Sequence, residues 1–271
     1  MQFLRFLLII ISGYLLTGCS IGRQAFYVSP LNGLTNQYRS VPLKKDSVLS
    51  ASYLNASLSG GGDNEGGTDS KYSFNIGFSR SHNLGSFQAR YGTGLTLGSY
   101  QVKPYDSIGN NETVDYRIIN QNAGNYFFGA GMIDGAINFV HPTNRGEWRV
   151  IGLETTLASE FGSYLDLRKR FPDTAATLVI RDPFYGAAGL FTEFVNRSGE
   201  SLYGFKFGYG ISLGSAYNNH HIPDAYYITE VVRFRYVSMA FHLTKERWTG
   251  FFQTVFAGKS NNAFLGMNYR L

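Results

Sequence analysis

The chain has 271 residues and a net charge of +5; 16% of its side chains are charged and 16% are aromatic. Soluble domains usually carry about 25% charged residues, so this balance points away from an ordinary water-exposed globule. One cysteine excludes an internal disulfide, and without a large Lys/Arg block no nucleic-acid partner is expected.

The chain opens with Met1-Gln2-Phe3-Leu4-Arg5, runs apolar over residues 6–16 and leaves through Thr17-Gly18-Cys19. A short basic start, an apolar stretch too short to span a bilayer and a small-residue exit make a secretory signal. Leu16-Thr17-Gly18-Cys19 resembles the lipobox of bacterial lipoproteins. That resemblance implies cleavage before Cys19, acyl chains such as palmitate on Cys19, and residues 1–18 outside the fold. Residues 19–46 contain Pro30, Gly33 and Pro42 without a sustained period. They read as a lipidated tether that packs locally through Phe26 and Tyr27. Ser20-Ile21-Gly22-Arg23 lacks the acidic run associated with some surface-export signals, which agrees with an inward-facing, periplasmic anchor.

Residues 47–271 are expected to form one domain, in which period two dominates. Tyr203, Phe205, Phe207, Tyr209, Ile211 and Leu213 alternate with Gly204, Lys206, Gly208, Gly210 and Ser212. Tyr72, Phe74, Ile76 and Phe78 alternate in the same way with Ser73, Asn75, Gly77 and Ser79. Strands are predicted near 48–59, 71–82, 85–101, 124–140, 147–161, 184–197, 201–214, 229–244, 247–257 and 263–271. The connections between them alternate in length. A transmembrane barrel sorts its connections this way, with short turns on the periplasmic side and long loops outside. Closure also pairs every backbone group and leaves no edge. The expected fold class is therefore all-β: a closed, antiparallel, up-and-down transmembrane β-barrel of about ten strands. Eight strands remain an alternative, because 231–243 and 248–256 fit the period poorly. A bulge near Val237 or Ser238 would restore the phase of the former.

At the end of the chain, Leu265, Met267, Tyr269 and Leu271 alternate to the last residue. This resembles the terminal strand of outer-membrane proteins, with Leu in place of the more usual Phe. The two resemblances together imply a bacterial outer-membrane β-barrel lipoprotein, with both termini periplasmic for an even strand number.

Arg90, Glu154, Glu193, Lys206, Arg233 and Arg235 are predicted to face the lumen as a polar network. Charges in a narrow barrel are costly unless paired, and small barrels are filled by side chains or hold one small ligand. His220-His221 precedes Asp224 in a long loop, without a nucleophile elbow or a third metal ligand. No catalytic residue, metal or cofactor is expected. Asp63, Glu65 and Asp69 read as a solvated acidic loop, and Arg168-Lys169-Arg170 as a solvated basic patch within reach of lipopolysaccharide phosphates.

The expected role is non-enzymatic: a structural or interaction component of an outer-membrane assembly, transport or secretion complex. Its partners would be outer-membrane lipid, lipopolysaccharide and other outer-membrane or periplasmic proteins. The alternatives are a small channel or ligand-holding barrel, an outer-rim hydrolase, and a soluble, lipid-tethered periplasmic sandwich or carrier.

Overall fold

Alternating apolar and small or polar residues produce ten long strands in the protein, seen here as a computed structural model. It describes residues 26–34, 37–44, 48–63, 69–104, 116–172, 176, 178–213, 234–258 and 260–271. The barrel strands are β2 (Ser50–Asp63), β3 (Asp69–Leu84), β4 (Phe87–Val102), β5 (Gly124–Pro142) and β6 (Gly146–Phe161). They continue with β8 (Phe184–Ser198), β9 (Ser201–Leu213), β10 (Arg235–Lys245), β11 (Trp248–Ala257) and β12 (Ser260–Arg270). Each pairs antiparallel with its neighbour in chain order, and β12 closes on β2. This is the expected ten-stranded closed barrel, and the eight-stranded alternative is set aside. Two short strands, β1 (Phe26–Tyr27) and β7 (Leu178–Val179), pair in parallel as a separate two-stranded sheet that takes no part in the barrel wall. Helices α1 (Tyr116–Gln121) and α2 (Ser163–Arg170) lie in connections expected to be irregular loops.

The period-two pattern turns one apolar set outward all around the wall. Phe74, Leu157, Leu190, Phe207, Phe241 and Leu265 are all exposed there, each about half or so. A closed barrel wearing an apolar belt of this kind is built to meet hydrocarbon, since no aqueous surface favours it. Trp148 stacks on Phe194 and Trp248 leans on Tyr269 near one end of the wall, where aromatic side chains suit a membrane interface. That end carries the tight turns, including those at Gly85 and Gly199, where φ of 62° and 59° suits glycine. The long connections gather at the other end.

Two departures from simple alternation shape the interior. In β6 the register with both neighbours shifts between Arg149 and Gly152, so the strand carries an extra residue there. Glu147 and Arg149 face inward before the shift, and Gly152, Glu154, Thr156 and Glu160 face inward after it. In β10, by contrast, the expected bulge near Val237 or Ser238 is absent. The strand is regular from Arg235, with Tyr236, Ser238, Ala240 and His242 inward. Tyr236 points inward because it lies opposite Gly210, whose missing side chain leaves room for the ring.

The core of the molecule is the lumen itself. Residues 26–34 and 37–44, expected as a tether, thread it from one end to the other and are almost entirely buried. Tyr27, Leu31, Leu34 and Tyr38 join Tyr100, Phe128, Tyr164, Phe251 and Phe264 in one apolar cluster. Fully burying one such side chain stabilises by about 1.5–3 kcal/mol, which an extended solvated tether could not supply. The turn at the top of this segment is closed by Asn32 N–H to the Ser29 carbonyl (3.1 Å) and Leu34 N–H to the Leu31 carbonyl (2.7 Å). Gly33 sits there at φ 75°, and a Cβ would fall 2.6 Å from Asn262 Nδ2, so only glycine fits.

Candidate functional site in the lumen

The inward side chains are arranged around the threaded segment rather than around open space. At the long-connection end, Lys71 Nζ donates to the carbonyls of Pro30 (3.1 Å) and Asn32 (3.2 Å), to Ser260 Oγ (2.8 Å) and to Asp63 Oδ1 (3.0 Å). One buried ammonium thus ties the segment to β2, β3 and β12. Asn32 Nδ2 donates to the Ala257 carbonyl (3.1 Å), and Asn262 Nδ2 donates to the Asn32 carbonyl (3.1 Å).

Midway down, Tyr38 N–H donates to Gln253 Oε1 (2.7 Å) and its hydroxyl to Glu193 Oε1 (3.2 Å). The Tyr38 ring stacks on His242 at 4.6 Å, and His242 Nε2 is 2.9 Å from Glu193 Oε1. Arg149 Nη1 donates to Glu193 Oε2 (2.7 Å), its Nε to Glu147 Oε1 (2.9 Å) and its Nη2 to the Val41 carbonyl (3.0 Å). Arg90 pairs with Asp134 at 2.6 Å, and Arg39 of the segment approaches the other Asp134 oxygen at 3.8 Å. Lower still, Gln88 Nε2 donates to the Pro42 carbonyl (2.9 Å), Asn268 Nδ2 to Ser40 Oγ (3.0 Å), and Lys44 N–H to Glu147 Oε2 (2.8 Å). Strand β2 then begins at the turn end.

The buried charges named here each face an opposite charge or a carbonyl, which offsets part of the cost of a low-dielectric space. The arrangement can clamp an extended peptide segment firmly.

The sequence-predicted lumen residues divide as follows. Arg90, Glu154, Glu193 and Lys206 lie inside and are buried; Lys206 Nζ pairs with Glu154 Oε2 at 2.5 Å and lies 4.1 Å above the Phe191 ring. Arg235 faces outward and is exposed at the start of β10, because the strand keeps one phase without a bulge. Arg233, His220, His221, Asp224, Glu65 and Cys19 lie outside the described residues.

Two loops expected to be solvated are partly internal. Asp63 and Asp69 face each other across the β2–β3 ladder and are buried. Asp69 accepts from the Tyr100 hydroxyl (3.2 Å) and from Lys103 N–H (2.9 Å). In the basic run, α2 turns Arg168 into the mouth of the barrel, where it pairs with Glu160 and donates to the Ile180 carbonyl at 2.8 Å. The neighbouring Tyr164 stacks on Tyr100 at 4.0 Å. Burial pushes the Tyr164 hydroxyl well above the ordinary tyrosine value, while nearby Arg168 opposes the shift. Helix α2 therefore acts as a cap on the lumen.

Sequence reasoning missed Tyr38, Arg39, Lys71, Asp134, Glu147 and Arg149. Lys71 carried a usable signal, since it shares the inward phase of Ser73 and Asn75. Glu147 and Arg149 were hidden by the bulge, which reverses the phase seen from Glu154. Among the described residues, no group of three His, Cys, Asp or Glu side chains is placed to hold a metal ion.

No family model matches this chain, and no curated protein matches its sequence. Among solved structures, it is similar to the translocator domain of the autotransporter NalP from Neisseria meningitidis, with 11% identity and a TM-score of 0.32 over 84% of this chain and 91% of that one. It is also similar to the β domain of the Bordetella autotransporter BrkA, with 10% identity and a TM-score of 0.38 over 83% and 100%. A third likeness is to the outer membrane protease OmpT from Escherichia coli, with 10% identity and a TM-score of 0.32 over 86% and 99%. These neighbours are outer-membrane barrels of different activities, and at such identities and scores they carry no argument about the role of this chain.

Proposed function

We propose that this chain is a lipid-anchored barrel of the bacterial outer membrane, acylated at Cys19, whose role is structural or in protein interaction rather than in conduction or catalysis. One observation carries this reading: residues 26–34 and 37–44 occupy the lumen and are fixed there by Lys71, Glu193, Arg149, Gln88 and Glu147. A barrel that spends its interior on its own chain has its rims and outer wall left to offer to partners. The apolar belt supports residence in a bilayer, and the sorted connections support the outer membrane.

Two measurements test the reading together. Purified full-length protein in planar bilayers is expected to give no stepwise conductance; steady open-channel steps would favour the small-channel alternative and sink the proposal. Photo-crosslinking in cells from the turns at Arg145 and Gly199 is expected to give discrete adducts. A protein that stays uncrosslinked at both of these neighbouring turns would remove an interaction role for the turn-end rim.

A further inference from the structure

The direction in which the lumen segment runs has a topological outcome. Its first described residues, Phe26 and Tyr27, pair in parallel with Leu178 and Val179, within the long connection between β6 and β8. Ile180 N–H donates to the Tyr27 carbonyl at 2.9 Å, and the Tyr27 ring meets Phe171 edge-on at 4.9 Å. From there the partners descend in order. Asn32 binds at Ala257 and Lys71, Tyr38 at Glu193, Pro42 at Gln88 and Lys44 at Glu147. Strand β2 then starts at the turn end, where Leu271 N–H also donates to the Ser52 carbonyl. The chain preceding Phe26 therefore meets the barrel at the end carrying the long connections. This is opposite to the side expected from the sequence for the N-terminus.

We infer that the protein is threaded outward through its own barrel, so that the lipid proposed on Cys19 enters the leaflet on the long-connection side, the outer leaflet of the outer membrane. This rests on the proposed acylation. Cys19 precedes Phe26 by seven residues, and seven extended residues reach at most about 25 Å. Two routes lead back to the turn-side leaflet. The lumen already holds the segment itself, whose described residues are buried against the inward side chains. The outer wall is a hydrocarbon-facing path about 25 Å tall, along which every unpaired peptide group costs several kcal/mol. Neither route is open to a short polar stretch. The lipid and the polypeptide thus hold the membrane from the same outer face, with residues 26–44 as the link between them.

The test separates sidedness from acylation. A site-specific protease sequence is inserted between Arg23 and Gln24, and the protease is added to intact cells. Cleavage in intact cells, with a periplasmic marker untouched, is expected; cleavage only after permeabilisation overturns the outward threading. An acyl precursor supplied to the cells is expected to label the native chain and to leave Cys19→Ala unlabelled. Persistent cleavage without any label would remove the lipid and the leaflet assignment while leaving the threading in place. Should the insertion prevent assembly, Arg23→Cys probed with a membrane-impermeant maleimide reads the same sidedness. Labelling of intact cells to the extent seen in lysed cells is expected, and protection until lysis overturns the inference.

Discussion

Arg149 Nη1 and Glu193 Oε2 lie 2.7 Å apart on neighbouring strands, and both side chains are almost completely buried beside the lumen segment. The pair is held between Glu147, His242 and Tyr38, so neither member can relax toward water.

Breaking this pair from one side should be expensive. Glu193→Gln leaves Arg149 with Glu147 as its one carboxylate partner, and a loss of about 1.5–3 kcal/mol is expected, read as a lower urea midpoint in lipid vesicles. The double variant Arg149→Leu/Glu193→Leu should lose less than the sum of the two Leu variants, because each single change breaks the same Arg149–Glu193 contact. Additive losses would show that the two residues do not act as a pair.

Lys71→Met removes the donor shared by the Pro30 and Asn32 carbonyls while keeping most of the side-chain volume. Amide exchange over residues 26–34 should accelerate strongly, while exchange in β9 and β10 stays unchanged. Uniform acceleration across the barrel would mean that Lys71 stabilises the wall rather than the lumen segment.

The extra residue in β6 predicts a sharp asymmetry between two changes at one position. Val150→Ala should be well tolerated, because Val150 is only half-buried. Deleting Val150 instead removes the bulge and turns either Glu147 and Arg149, or the whole set from Gly152 onward, to the opposite face. The deletion is expected to abolish heat-modifiable mobility on gels. A normally assembled deletion variant would contradict the assigned register.

How much of this was legible beforehand depends on the element. Tyr203 to Leu213 alternate cleanly because wall and lumen impose opposite demands on successive residues, and the pattern states the strand directly. Val150 could not be read that way, since a bulge moves the phase without changing composition. Tyr236 also misled, because an aromatic ring pointing into a lumen needs a facing glycine, and Gly210 comes from another strand. The lumen segment was harder still. Its apolar side chains show no period, and its partners lie 225 and 230 residues away in the case of Asn32 with Ala257 and Asn262. Only the pairing of distant strands reveals what covers Leu31 and Leu34.

The wall should respond to charge by face. Phe207→Arg, in the middle of β9 and pointing outward, is expected to cost about 2–4 kcal/mol in vesicles. Arg235→Ala, already exposed at the start of β10, should change stability by less than about 0.5 kcal/mol. Reversal of that order, measured by folding titrations, would place the belt elsewhere.

The cap formed by α2 should weaken in alkali. Because the folded hydroxyl of Tyr164 titrates above its unfolded value, its contribution is complete below about pH 10 and falls as pH rises toward the folded value. The slope from one such group is at most about 1.4 kcal/mol per pH unit. Tyr164→Phe should flatten the alkaline loss by that one-proton share, measured as urea midpoints between pH 9 and pH 11, roughly. An unchanged slope would remove Tyr164 from the titration.

The lumen segment precedes β2 in the chain, and β2 is also the strand on which β12 closes the cylinder. The earliest described part of the chain is therefore packed by contacts with its latest part, which makes the interior high in contact order and slow to complete. Closing the seam and seating the interior become one kinetic event. Once the seam has closed, the wall stands as a barrier around its own beginning, and the segment can leave only by passing end-on through the ion pairs that hold it.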